Sequence, residues 1–162
     1  MSLSDKQEIT EVLYRYARAV DRKDFDRVAE CYFPEAIDNH GGYVGTVDGL
    51  IEDMKSRHAT IDSSLHYITN VLIDLHGDTA NVESYCLCYL RQAPVAPGSP
   101  QSRVTVKCRY VDRFERREGQ WRIADRIVVF DESVTEEIVD GLDAAWVRSR
   151  RSLEDPVFTG KP

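Results

Sequence analysis

Ser64-Leu65-His66-Tyr67-Ile68-Thr69-Asn70 marks the point where the chain changes character. Before it, apolar residues recur at helical spacing. From Leu65 to Leu75 and onward they alternate, as strands do. The alternation is clear in Ala80, Val82, Ser84, Cys86, Cys88 and Leu90, whose intervening residues are Asn81, Glu83, Tyr85, Leu87 and Tyr89. It is clearest in Val104, Val106, Cys108, Tyr110 and Phe114, set against Arg103, Thr105, Lys107, Arg109 and Arg113. The small and apolar sets should face inward. Glu118-Gly119 predicts a hairpin turn, and Trp121 to Phe130 a last strand. On that strand Arg126, Val128 and Phe130 share a face, unless a bulge intervenes among Ile127, Val128 and Val129. Along the first of these strands, His66, Ile68, Asn70 and Leu72 should share one face.

Upstream, Ser4 and Gln7 have capping-box spacing. Ile9, Val12, Leu13, Tyr16, Ala17 and Val20 then form one face of a helix ending near Asp21. A second helix runs from Asp24 to Pro34. Ala36 to His40 is a short strand candidate, and a third helix starts at Asp48. Downstream, Ser133 and Glu136 form a second capping box. It predicts a C-terminal helix carrying Ile138, Leu142, Ala145 and Trp146, and ending in Arg148, Arg150 and Arg151, which suit a helix C-terminus. The order predicts an α+β fold: a curved mixed or antiparallel sheet covered by N-terminal helices, with a C-terminal helix. Residues 1–150 form a single domain and 151–162 a C-terminal tail.

The 162 residues suffice for one well-buried core. A formal net charge of -7 argues against nucleic acid or an anionic membrane as partner, since both need a basic surface. The N-terminus shows no signal-peptide pattern, and no run approaches the length of a membrane span. The four cysteines, Cys31, Cys86, Cys88 and Cys108, lack metal-ligand spacing and read as reduced core residues of a cytoplasmic protein.

Four polar residues stand out. Tyr16 lies on the apolar face of the first helix, and a buried phenol needs a partner. Asp21 sits at the negative end of that helix, where a carboxylate is unfavourable without compensation. His66 is the one histidine within an apolar strand. Arg126 faces inward or outward according to the bulge. By spacing alone Tyr16 reads as a core tyrosine, Asp21 as a solvated loop aspartate and His66 as a structural histidine, while Arg126 reads equally as a surface arginine or an inward one.

Three stretches carry a resemblance: Tyr14-Arg15-Tyr16-Ala17-Arg18-Ala19-Val20-Asp21, Leu65-His66-Tyr67-Ile68-Thr69-Asn70, and Phe114-Glu115-Arg116-Arg117-Glu118-Gly119-Gln120-Trp121-Arg122-Ile123. With them the chain resembles SnoaL-like proteins of the nuclear transport factor 2-like superfamily. It looks closest to the branch of scytalone dehydratase, bile-acid dehydratase and hexachlorocyclohexane dehydrochlorinase. The resemblance implies a cone-shaped half barrel. It further implies His66 as base, Asp21 as its partner, and Tyr16 and Arg126 as polarising groups. Ser84, Cys86, Cys88, Cys108, Tyr110, Val128 and Phe130 would contact a small hydrophobic cyclic molecule. It implies a lyase of dehydratase type that needs no metal or organic cofactor, and a homo-oligomer, dimer or trimer. The same family holds non-catalytic binders, dioxygenase β-subunits, isomerases and polyketide cyclases. Ketosteroid isomerase-like members use an aspartate on the first short strand, where the register here offers His40 in Asp38-Asn39-His40.

Overall fold

The computed structural model describes residues 3–139 and 141–160. Helix α1 spans Leu3–Arg22, α2 Phe25–Glu30 and α3 Val47–Arg57. The strands are β1 Tyr32–Asn39, β2 Val44–Thr46, β3 Ile61–His76, β4 Thr79–Gln92, β5 Gln101–Arg117 and β6 Gln120–Ile138, followed by a short α4, Pro156–Thr159. They form one six-stranded sheet in the order β2-β1-β6-β5-β4-β3. Every pair is antiparallel except β1 with β6, so the sheet is mixed.

The helical period of α1 does what it predicts: Ile9, Val12, Leu13, Tyr16, Ala17 and Val20 are all buried. They pack on the concave face of the sheet, where Val82, Cys86, Cys88, Cys108, Tyr110 and Phe114 are also buried. Register aligns this face into rows. One row is His66, Cys88, Val106 and Ser133. The next is Ile68, Cys86, Cys108 and Phe130, and then come Ser84, Tyr110 and Val128. The last is Val82, Asp112, Arg126 and Asp38.

Bulges decide which residues enter these rows. Phe114 pairs with Ile123 and Arg113 with Asp125, so Ala124 is the extra residue. A second extra residue is Asp131, between the partners of Lys107 and Cys108. The bulge at Ala124 places both Ile123 and Arg126 inside. The irregularity is therefore not among residues 127–129. On β3 a shift between Thr69 and Leu72, with Asn70 at φ 49°, changes faces. Asn70 and Leu72 consequently do not share the face of His66. Leu72 is 66% exposed, while Val71 and Ile73 pack on the core.

Three helix expectations fail. Ser4 lies within α1, and its hydroxyl bonds Glu8 rather than capping at Gln7. The capping box at Ser133 nucleates no helix. Instead β6 continues to Ile138, and Ser102 to Val106 pair with Ser133 to Glu137. Ladder bonds to β5 outweigh a local capping preference worth about 1 kcal/mol. The C-terminal helix is thus the four-residue α4, inside the stretch expected to be a tail. Tyr32 and Phe33, read as helical, belong to β1. No helix among the described residues is long and apolar enough to cross a membrane.

Leu13 is fully buried under α1. Leu13→Ala should lower the unfolding free energy by about 2–5 kcal/mol, read from urea titration followed by circular dichroism.

Candidate active site

Asp21 occupies the last turn of α1, directly over the edge strand β3. Its carboxylate is 6% exposed. Burial at a helix C-terminus is doubly unfavourable for an anion. Three donors on β3 compensate it. Ser64 Oγ donates to Oδ1 at 2.7 Å, His66 N donates to Oδ2 at 3.0 Å, and His66 Nδ1 lies 2.6 Å from Oδ1. Ser64 and His66 share a face because they are two residues apart on a strand.

The other ring nitrogen, Nε2, lies 3.3 Å from Cys88 Sγ. Cys88 stands directly opposite His66 in the β3–β4 ladder. Burial lowers the basicity of His66, but hydrogen bonds to Asp21 and Cys88 outweigh it and hold the imidazole well above its ordinary value. The ring keeps 11% of its side-chain surface exposed. A cavity of about 240 Å³ reaches it, lined by Tyr14, Ala17, Arg18, Asp21, Arg22, Leu65, His66 and Ile68.

Behind Asp21, the C-terminal segment closes the helix. Arg151 donates to the carbonyl oxygens of Val20 at 2.9 Å, Asp21 at 2.9 Å and Ile61 at 3.0 Å, and contacts His58 Nδ1 at 2.8 Å. Burial and the neighbouring Arg151 lower the His58 pKa to about 3, so its ring is neutral and accepts. Arg22 pairs with Asp155 at 3.4 Å, and Arg18 lies 5.5 Å over the Phe158 ring.

Arg126 does not join His66. It lies three rows away, at the other end of the concave floor, about 20 Å along β4 at ~3.4 Å per residue. It is 1% exposed and grips Asp112 with two hydrogen bonds of 2.7 Å. The guanidinium lies between the rings of Tyr16 and Tyr110, at 4.3 and 4.1 Å from their centroids. Its third contact is Tyr32 Oη at 3.4 Å. Burial opposes its charge, but Asp112 and the tyrosines hold it charged. Burial raises the Asp112 carboxyl, and Arg126 pulls it partly back. Burial also raises the phenols of Tyr16, Tyr32 and Tyr110, which therefore stay protonated.

Asp38 corrects the reading of the first strand. It is fully buried and faces the same cluster, accepting from Tyr32 Oη at 2.8 Å and contacting His40 Nδ1 at 3.3 Å. Burial raises its carboxyl, but His40, Arg126 and Tyr32 carry it below its ordinary value. A carboxylate so engaged is a structural counter-ion. The described site residues therefore form two groups: Asp21, Ser64, His66 and Cys88, and separately Tyr16, Tyr32, Asp38, Tyr110, Asp112 and Arg126.

Cys86 and Cys108 stand opposite each other between the groups, and all four cysteines are free and buried. Hydrogen bonding from Cys108 lowers the Cys86 thiol, and Cys108 correspondingly rises. Val128 is buried, and Ser84 Oγ is fully buried with no partner among the described residues. Phe130 is half exposed and lies at the rim, edge-on to His40 at 6.3 Å.

Residues 1–127 match the model of the SnoaL-like domain family. The chain belongs to this family. An uncharacterised protein of Mycobacterium tuberculosis is 27% identical over 129 residues, covering 77% of this chain and 84% of that protein. Two solved structures share the fold. A candidate scytalone dehydratase of Novosphingobium aromaticivorans superposes with a TM-score of 0.73 at 15% identity, covering 90% of this chain and 97% of the other. A hexachlorocyclohexane dehydrochlorinase of Novosphingobium barchaimii gives 0.71 at 17% identity, covering 86% and 93%.

Asp112→Ala would strand the Arg126 charge in the core. It should cost about 3–5 kcal/mol of stability in denaturant titration.

Proposed function

We propose that the protein is a cofactor-independent lyase of dehydratase type, acting on a small hydrophobic cyclic substrate. The 2.6 Å contact between His66 Nδ1 and Asp21 Oδ1 carries this reading. A carboxylate on Nδ1 fixes the tautomer and leaves Nε2 as the base. His66 then removes a proton from carbon beside an electron-withdrawing group. Asp21 stabilises the imidazolium, and the leaving group departs as the double bond forms. The buried side chains of Cys86, Cys88 and Cys108 form the floor of the concave face on which a ring would lie. Tyr16 and Arg126 pack together in the separate Asp112 cluster, and their part is to hold the wall of the concave face beyond the dyad. The dehydratase and dehydrochlorinase neighbours are consistent with elimination, and the shared fold alone leaves the substrate open.

A self-associating chain fits the outer face of the sheet. There Leu72, Val111 and Ile127 are each at least 41% exposed and fall on one cross-strand row with Glu83 between Leu72 and Val111. Light scattering of wild type beside Val111→Asp/Ile127→Asp tests this, with a smaller particle expected for the variant.

The enzymatic test uses cyclic ketones bearing a hydroxyl or halide β to the carbonyl, with product absorbance as readout. His66→Ala and Asp21→Ala should each cut turnover by about 10²–10⁴-fold while preserving the circular dichroism spectrum. Full activity in either variant would refute the dyad. The raised His66 pKa places the free base at higher pH, so kcat/KM should rise through an alkaline limb lying above 6.5. Stability should run the other way. The dyad's contribution is complete below the ordinary histidine value and is lost as pH rises through the folded value. Thermal melts of wild type and His66→Gln across pH 6–10 check the sign, and the variant should lack the slope.

A further inference from the structure

The geometry points to a second chemistry at the same place: Cys88 is a nucleophile that adds covalently to the β-carbon of a conjugated cyclic carbonyl. The basis is an unbroken chain of contacts, Cys88 Sγ to His66 Nε2 at 3.3 Å and His66 Nδ1 to Asp21 Oδ1 at 2.6 Å. A thiol, an imidazole and a carboxylate in this order are the parts of an activated cysteine: the base takes the thiol proton, and the third group orients the base. Two features fix the arrangement. His66 and Cys88 are opposite residues of one ladder, so the backbone sets their approach. Ser64 Oγ and the His66 backbone N–H pin the carboxylate.

A second observation points to a ligand on this face. Ser84 Oγ lies on the same side of β4, four residues from Cys88, or about 13 Å at ~3.4 Å per residue. It is fully buried and has no hydrogen-bond partner among the described residues. A buried hydroxyl without a partner is unfavourable, and a polar group on a bound ligand would satisfy it. Between the two lies Cys86, buried on the same face.

The step balances without an oxidant or metal. The Cys88 proton passes to His66 Nε2. The sulfur pair forms the S–C bond at the β-carbon, and the C=C pair moves toward the carbonyl as an enolate. The imidazolium then returns the proton to the α-carbon, leaving a saturated carbonyl joined to Cys88 as a thioether. The elevated basicity of His66 suits it to both transfers. The inference shares its base with the proposed lyase, and an elimination beside a carbonyl yields this class of electrophile.

The test treats the intact protein with 2-cyclohexenone and follows it by intact mass, with peptide mapping among the four cysteines. One adduct, on Cys88, is expected. His66→Gln should slow it by roughly tenfold or more, as removal of an activating base does. Should that variant not fold, Asp21→Asn decides: removing the carboxylate that orients His66 should slow labelling of Cys88 by a similar factor. Adducts mapping to Cys31, Cys86 or Cys108, an unreactive protein, or an Asp21→Asn rate equal to wild type would overturn it. The two readings fail separately. Labelling at Cys88 without any elimination activity keeps this inference and removes the lyase. Elimination activity in a wild-type protein that stays unlabelled does the reverse.

Discussion

A buried carboxylate at the wrong end of a helix governs this structure. The last turn of α1 presents free carbonyl oxygens, and Asp21 adds a full negative charge to them. Left alone, such a group would unwind the turn or take up a proton. The fold answers with donors from two directions. Ser64 and His66 on β3 satisfy the carboxylate, and Arg151 satisfies the carbonyls of Val20 and Asp21. The position of α1 over the sheet edge, the orientation of the imidazole and the docking of the C-terminal segment all follow from neutralising one charge.

The same logic runs at the other end of the concave floor with the sign reversed. There a buried cation, Arg126, is answered by Asp112 and, more remotely, Asp38, with tyrosine rings on both sides. A hydrophobic cone that holds two charged groups three sheet rows apart is polarised along its length. The middle row, with Ile68, Cys86 and Cys108, is the weakly polar stretch between them.

Much of this was legible in the sequence, for physical reasons. Period-two patterning placed Ser84, Cys86, Cys88, Cys108 and Tyr110 on the concave face, because only that face is covered by helices. Asp112 was equally legible: it stands in phase with Tyr110, two residues on. Ser64 was legible too, in phase with His66. The bulges were not. Nothing in Ala124 or Asp131 announces an extra residue, and each resets the face of all that follows. The capping box at Ser133 misled because local capping competes with a ladder whose partner strand begins some thirty residues earlier. The three terminal arginines gave a half-correct signal. Arg151 does sit at a helix C-terminus, but the helix is α1, about 130 residues upstream.

That distance has a consequence for the order of events during synthesis. Asp21 emerges among the first residues, Ser64 and His66 follow, and Arg151 comes late. Until then the last turn of α1 lacks its cap, although Ser64 and His66 can already satisfy the carboxylate. The full set of contacts around the site therefore draws on the C-terminal segment as well as on the dyad. Residues 1–127, the part shared with the family, supply the reactive groups. The segment beyond them supplies the clamp, and so acts as a built-in delay between making the site and completing it.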